Sequence, residues 1–428
     1  MPTNFIQKTA FGVYNLSWRI ALPWLRFHHR LAEGYQERTL RGRPLQTADL
    51  WIQAASVGES YLAQEVIRTL ETKFPVRVLL TSNTRQGIEI LNDGCLKLIK
   101  NKQRIQADVC YFPFDQPAIM ATAVASIRPK LMVLMETEIW PGLLCALKAQ
   151  ACKIAIINGR ITPRSLQRYL LWPSIWQALR PDKILAISPV DAERFRQLFG
   201  PNGIEVMANI KYDRISPPNA NGANEKEINA LLPAGVSFVV LASVRREEES
   251  QVKKIIHEVL DQRPKTVIGL FPRHTQRIEF WQDTLTHLQV KWSLRSTASQ
   301  PVPAGNVIIW DRFGELMSAY RLAQSAFVGG SLAPLGGQNF LEALVSGIIP
   351  VSGPSWENFA WVGREIIDAG LLRIAGDWQE VAALILKDLD SAPSRDKVIA
   401  EALRFINARQ GGTAQACRFI ESILFEKK

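Results

Sequence analysis

A carboxylate stands just past an apolar run in Trp51-Ile52-Gln53-Ala54-Ala55-Ser56-Val57-Gly58-Glu59, where a single glycine lets the chain turn. Glu59 has two readings. It is either a helix N-terminal residue stabilised by the macrodipole, or a base able to take a proton from an incoming hydroxyl. The G-x-G-x-x-G pattern of a dinucleotide site is absent here. A second pair of acids, Glu136 and Glu138, follows a strongly apolar stretch in Met135-Glu136-Thr137-Glu138-Ile139-Trp140-Pro141. The two acids are expected to point to opposite sides. One acid is then expected to face the reacting groups while the other caps a helix or meets a cation. Phe271-Pro272-Arg273-His274 ends another apolar run, and an arginine there is either a phosphate ligand or part of an ordinary surface loop. The strongest local signal is Val328-Gly329-Gly330-Ser331-Leu332-Ala333-Pro334-Leu335-Gly336-Gly337-Gln338-Asn339-Phe340-Leu341-Glu342. Paired glycines permit close backbone approach. A helix beginning near Asn339 would offer N–H groups to an anion, with Glu342 placed to accept from ribose hydroxyls. The Gly-Lys-Ser/Thr ending of a P-loop is missing, which disfavours ATP hydrolysis and favours a nucleotide-sugar.

Such turns need strands and helices to hold them. Apolar runs at 50–55, 76–80, 131–135, 153–157 and 183–187 read as buried parallel strands separated by amphipathic helices. The alternation breaks near 208–235, where Pro217-Pro218-Asn219-Ala220-Asn221-Gly222 reads as a linker. It resumes with runs at 236–241, 266–271, 306–309, 326–328 and 348–351. The fold expected is α/β, with two doubly wound Rossmann-like domains facing a cleft. The divisions expected are an N-terminal segment 1–45, an acceptor domain 46–210, a linker 211–232 and a nucleotide-sugar domain 233–428. Ligands in such sheets sit beyond the carboxyl ends of the strands, where the turns above fall.

With 428 residues, 47% hydrophobic and 21% charged, the chain is long enough for two or three domains and is not disordered or fibrous. Cys95, Cys110, Cys145, Cys152 and Cys417 are odd in number and contain no C-x-x-C pair, which argues against a disulfide framework or zinc ribbon. The five histidines form no metal-ligand spacing, so no metal and no cofactor is expected. The net charge of +11 suits nucleic acid, an anionic membrane or an anionic substrate. Without a basic–aromatic tract, a zinc finger or an RNP-like motif, nucleic acid is the weakest of the three.

Residues 5–27 are rich in aromatic and aliphatic side chains, with Phe11, Tyr14, Trp18, Leu22 and Leu25 at helical spacing. Lys8, Arg19 and Arg26 interrupt the stretch, and Pro23 is expected to kink it. Charges are costly at a bilayer centre, whereas Trp, Tyr and Arg suit the headgroup boundary. Residues 1–50 hold seven Lys/Arg against three Asp/Glu, which favours anionic lipid. No small-residue cleavage site follows, so a secretory signal is not expected. An amphipathic membrane-associated helix is preferred over one packed on the protein's own core.

Taken in order, these turns resemble the Kdo transferases (3-deoxy-D-manno-octulosonic acid transferases) of lipopolysaccharide assembly, from the aromatic N-terminal helix to about residue 365. The blocks are Ser56-Val57-Gly58-Glu59, 135–141, Asn158-Gly159-Arg160-Ile161 with Arg164-Ser165, Ile210-Lys211-Tyr212-Asp213, Pro272-Arg273-His274, Gly314-Glu315-Leu316-Met317 and the 328–342 loop. The resemblance implies a GT-B fold and inverting transfer of Kdo from CMP-Kdo to a lipid A precursor at the cytoplasmic face of the inner membrane. It also implies residue roles. Glu59 matches the general base, and Glu136 and Lys211 match transition-state stabilisers. Pro272, Arg273, Phe313, Gly314, Glu315, Asn339, Phe340, Leu341 and Glu342 match donor-binding positions.

The chain departs from the family pattern near the donor phosphate. Ser243-Val244-Arg245 stands for the family's Ser-Thr-His, Gln338 for a histidine, Phe340 for a proline and Asn209 for a serine. Arg245 and Gln338 still donate hydrogen bonds to an anion, so a divergent active enzyme is expected. The rival readings are another GT-B enzyme, a UDP-sugar transferase or nucleotide-sugar 2-epimerase, or a non-catalytic membrane-associated binding paralogue.

Overall fold

A computed structural model describes residues 5–101, 104–216, 222–298 and 301–425. The chain forms two compact units. One runs to Arg214 and resumes at Arg409, and the other is Ile215–Ala408.

In the first unit, seven strands form one parallel sheet: β1 (Leu50–Ala54), β2 (Val76–Ser82), β3 (Ile105–Tyr111), β4 (Leu131–Met135), β5 (Lys153–Gly159), β6 (Lys183–Ala186) and β7 (Ile204–Val206). Their order is β3-β2-β1-β4-β5-β6-β7. Strands β1 and β4 are buried along their whole length because helices cover both sheet faces. Alternation divides their side chains between two cores. Trp51, Met132 and Leu134 pack on one face, while Leu50, Ile52 and Val133 pack on the other. The chain winds outward in both directions from β1, so the crevice beyond β1 and β4 is the topological switch point.

The second unit repeats the plan with β8 (Phe238–Val244), β9 (Val267–Pro272), β10 (Trp292–Leu294), β11 (Val307–Ile309), β12 (Ser325–Val328), β13 (Val351–Ser352) and β14 (Arg373–Ile374). The order is β10-β11-β9-β8-β12-β13-β14, again all parallel. Its switch point lies beyond β8 and β12. The two doubly wound parallel sheets are those the sequence leads one to expect.

The boundaries differ from expectation at two places. Residues 217–221, the centre of the expected linker, lie outside the described residues. Lys211, expected to open that linker, instead sits in the short helix Ile210–Asp213 of the first unit. The chain's last helix, Gly412–Leu424, also belongs to the first unit rather than to the domain expected at 233–428. Its Ala416, Cys417, Ile420 and Leu424 fall on one face and enter the core beside β1 and β4. Asp213 fastens the start of this helix by accepting from Gly411 N and from Thr413 N and Oγ1, each at 2.6 Å. Gly412 is required there, since a Cβ would lie 2.1 Å from the Ala208 carbonyl oxygen.

The N-terminal helix runs Phe5–Leu25, with Pro23 confined to its last turn. The stripe picked out by spacing turns inward. Phe11 packs on the first core, Trp18 meets Phe114 with ring centroids 5.9 Å apart, and Tyr14 Oη donates to Asp115 Oδ2 at 2.7 Å. The helix is therefore docked on its own unit, the alternative the sequence ranked second. A different stripe faces outward: Val13, Leu16, Ile20 and Trp24, continued by Phe27, are 58–71% exposed. Among the described residues, no helix is long and apolar enough to cross a membrane.

Candidate active site

Three acids meet beyond the carboxyl ends of β1 and β4. Ser56 caps the helix Val57–Thr69, and its Oγ accepts from Glu59 N at 3.3 Å. The Glu59 carboxylate turns back over this cap, accepting from Ala55 N at 2.8 Å and Ser56 Oγ at 2.9 Å. Glu59 is thus the helix N-terminal residue of the first reading, and it is also a buried acid. Only 8% of it is exposed. Burial first, then the charges of Glu138 and Glu136, push its pKa up to about 8, against the opposing pull of Ala55 N and Ser56.

Glu136 does not continue the strand. Its φ of 53° places it in the left-handed region, and this break separates the two acids, which the alternation of an extended segment would have put on one side. This turn allows Glu136 to meet cations while Glu138 stays beside Glu59. Glu136 Oε1 accepts from Lys211 Nζ and Oε2 from Arg160 Nε, each at 2.8 Å. Glu138 accepts from Trp140 Nε1 at 2.7 Å and from Gln53, and burial raises its pKa despite those donors.

Lys211 is aimed by two asparagines. Asn158, at φ 57°, accepts from Ile210 N at 2.9 Å, and Asn209 accepts from Lys211 N at 3.0 Å. Asn209, where the family has serine, therefore serves as the cap of the helix carrying Lys211. Arg160 was legible as part of a family block but had no assigned role. Its ion pair with Glu136 depends on β5 lying beside β4.

In the second unit the structure brings some of the expected residues together. Pro272 ends β9, and Arg273 N donates to the Val244 carbonyl at 2.8 Å, leaving an exposed guanidinium. Arg273 is close enough to lower the pKa of Glu342, which burial holds up and the Asn339 hydrogen bond also lowers. Asn339 Nδ2 donates to Glu342 Oε1 at 2.8 Å. Arg273, Asn339 and Glu342 form one polar cluster.

Other expected positions serve differently. Phe340 and Leu341 bury their side chains, Phe340 against Phe359 at 5.3 Å between ring centroids. Their backbone alone is available to a ligand. Phe313 is 86% exposed, and Gly314 turns with φ 81°. Glu315 points inward, accepting from Arg295 Nε and Trp310 Nε1, both at 2.8 Å. Its carboxylate anchors the loop rather than reaching outward.

The paired glycines also have an occupant of their own. Glu248 accepts from Gly330 N at 2.5 Å, Ser331 N at 3.1 Å and Leu332 N at 3.2 Å. The close backbone approach expected of the paired glycines is taken up by this buried carboxylate, and a Cβ on Gly329 would stand 2.4 Å from it. The helix that follows is Leu341–Val345, two residues later than expected. Two of the departures from the family pattern meet here. Gln338 Cγ and Arg245 Cγ lie 3.0 and 3.6 Å from where a Cβ on Gly330 would be. Among the described residues, no group of three His, Cys, Asp or Glu could hold a metal ion.

Two doubly wound parallel units, each with polar residues gathered at its switch point, define a glycosyltransferase-type GT-B fold. A family model for 3-deoxy-D-manno-octulosonic-acid transferase (kdotransferase) matches residues 26–214. The chain is 31% identical over 428 residues to the 3-deoxy-D-manno-octulosonic acid transferase of Bordetella pertussis, covering 94% of this chain and 97% of that one. It is 28% identical over 383 residues to that of Haemophilus influenzae, covering 87% and 86%. A crystal structure of a glycosyltransferase from Rickettsia africae has a similar fold, with a TM-score of 0.58, 11% identity and coverage of 89% and 100%. The chain belongs to the 3-deoxy-D-manno-octulosonic acid (Kdo) transferase family.

Proposed function

We propose that the chain transfers Kdo from CMP-Kdo to a sugar hydroxyl of a lipid A precursor, with inversion, in lipopolysaccharide biosynthesis. Family membership supports the reaction class. The observation that carries the mechanism is Glu59, a carboxylate at the first switch point whose pKa is raised to about 8 by burial and, after it, by two neighbouring acids. A base poised near the working pH combines a populated ionised form with a real driving force for taking the proton.

In the proposed step the acceptor hydroxyl gives its proton to Glu59, and its oxygen bonds to the anomeric carbon of Kdo. The bond from that carbon to the CMP phosphate breaks, and CMP leaves with the electron pair. Glu136, held between Lys211 and Arg160, supplies a fixed carboxylate for the oxocarbenium-like sugar, and Lys211 balances the departing negative charge. Arg273 binds the phosphate, while Asn339 and Glu342 hold the ribose. Pro272, Phe313 and Gly314 shape the donor loops, Glu315 fixes one of them, and Phe340 and Leu341 contribute backbone. Arg245 and Gln338, side by side at Gly330, replace the family's histidines as donors to the anion.

The lipid acceptor accounts for the outward stripe of Val13, Leu16, Ile20, Trp24 and Phe27, which is flanked by Arg19 and Arg26. This surface suits the anionic cytoplasmic face of the inner membrane, with the helix lying along it.

Purified protein incubated with CMP-Kdo and lipid A precursor is expected to give a Kdo-bearing product by mass spectrometry and to release CMP. Glu59→Ala should remain folded and lose release. Undiminished turnover by that variant removes Glu59 as base. CMP should raise the melting temperature more than UDP, and the reverse order would favour a UDP-sugar enzyme.

A further inference from the structure

A half-open cavity of about 350 Å³ lies within the first unit, under the inner face of the N-terminal helix. Its walls are Trp18, Ala21 and Leu25 of that helix and, opposite, Phe112, Phe114 and Trp140. Four polar residues on its lining have partners in the protein, among them Asn83, whose Oδ1 accepts from Gln53 Nε2 at 3.3 Å. Asp115 accepts from Tyr14 Oη at 2.7 Å and from Gly142 N and Leu143 N at 2.8 and 2.7 Å. Arg38 donates to the carbonyls of Glu33, Phe112 and Asn83 at 3.0, 3.2 and 2.7 Å. Ser17 donates to the Tyr14 carbonyl at 2.8 Å. With these groups satisfied, the space favours an apolar occupant over a sugar or a phosphate, which would need donors of its own.

Two continuities identify that occupant. Trp140, one wall of the cavity, donates to Glu138 at 2.7 Å, and Glu138 is the acid that most strongly perturbs Glu59. One hydrogen bond thus links a wall of the cavity to an acid that acts on the candidate base. Its other wall is a helix whose opposite face carries the exposed apolar stripe. A molecule with its sugar at Glu59 and its hydrocarbon beneath this helix would leave a bilayer without exposing its chain to water.

We propose that this cavity seats an acyl chain of the lipid acceptor, an inference that rests on the acceptor being the lipid named above. At about 350 Å³ the cavity is large enough to take several methylenes of such a chain.

The test compares one disaccharide acceptor in two forms, acylated in phosphatidylcholine–phosphatidylglycerol vesicles and fully deacylated. For wild type, kcat/KM is expected to favour the acylated form. In Ala21→Trp, which fills the cavity, that preference should fall at least tenfold while the protein still sediments with the vesicles. A wild-type preference near one, or an unchanged preference in the variant, overturns the proposal. A second measurement does not depend on the variant folding. Wild-type protein is photo-crosslinked to an acceptor carrying a diazirine at the end of one acyl chain. Adducts on Trp18, Ala21, Phe112 or Phe114 support the cavity. Adducts confined to Val13, Leu16, Ile20 or Trp24 place the chain on the outer face and overturn it. If wild type transfers Kdo to neither acceptor, the proposed function fails, and the crosslink still decides whether the cavity takes a chain.

Discussion

Lys211 Nζ and Glu136 Oε1 stand 2.8 Å apart, joining the turn after β4 to a short helix after β7. Both side chains are largely buried, and the second oxygen of Glu136 is taken by Arg160. Removing one partner of such a pair leaves a desolvated charge, whereas a surface pair would be worth little. Lys211→Met is expected to lose Kdo transfer and to lower stability by about 1–3 kcal/mol, read by urea denaturation. Lys211→Arg should recover most of the stability and only part of the rate, because a fork cannot reproduce a point donor.

Glu59 makes a pH-dependent prediction with a definite sign. Its folded pKa, about 8, lies above the ordinary 4.5, so the folded chain holds a proton that the unfolded chain releases. This contribution is fully present below pH 4.5 and is lost as pH rises to about 8. Glu59→Gln removes the penalty. Its melting temperature should match wild type at low pH and exceed it progressively toward pH 8. The same variant should lose about 10²–10⁴-fold in kcat. Wild-type activity should climb with pH through the same window. A variant no more stable at pH 8 than wild type would show that the carboxylate is not burdened by its neighbours.

Glu248 holds three consecutive amides of the glycine-rich loop. Glu248→Ala leaves them buried without partners, at a cost of about 2–4 kcal/mol. The loop should loosen, and CMP should no longer raise the melting temperature. Retention of the CMP shift would mean that the donor site does not depend on this loop.

Tyr14 fastens the N-terminal helix through Asp115, whose pKa burial raises to about 7 and whose three donors restrain that rise. Tyr14→Phe removes one donor and should free the helix locally by about 1–2 kcal/mol. Amides of residues 11–25 should then exchange faster with solvent while those of β1 and β4 stay protected.

The parts of the fold that the sequence reveals are those buried on both sides. Runs such as 131–135 and 153–157 are apolar throughout because helices cover both faces, and they correspond to β4 and β5. The four strands that escaped notice are β3, β7, β10 and β14, the two edges of each sheet. In β3, the sequence Ile-Gln-Ala-Asp-Val-Cys-Tyr mixes polar and apolar residues because that strand is only partly covered. An edge strand lacks the constraint that writes a continuous apolar run, so pattern alone misses it.

The candidate site divides in a similar way. Residue type and position after an apolar strand were enough to single out Glu59, Glu136, Arg273 and Glu342. The sequence by itself thus determined two parallel sheets and the turns that bear their chemistry, because periodicity and chain order are local properties. Only the tertiary structure decided which charges meet. It turned Glu136 out of the strand toward Lys211 and Arg160, filled the glycine loop with Glu248, and locked Glu315 against Arg295. It also returned the last helix to the first sheet. Those outcomes depend on pairing between residues far apart in the chain, and the energy of a buried charge is set by whichever partner packing brings within reach.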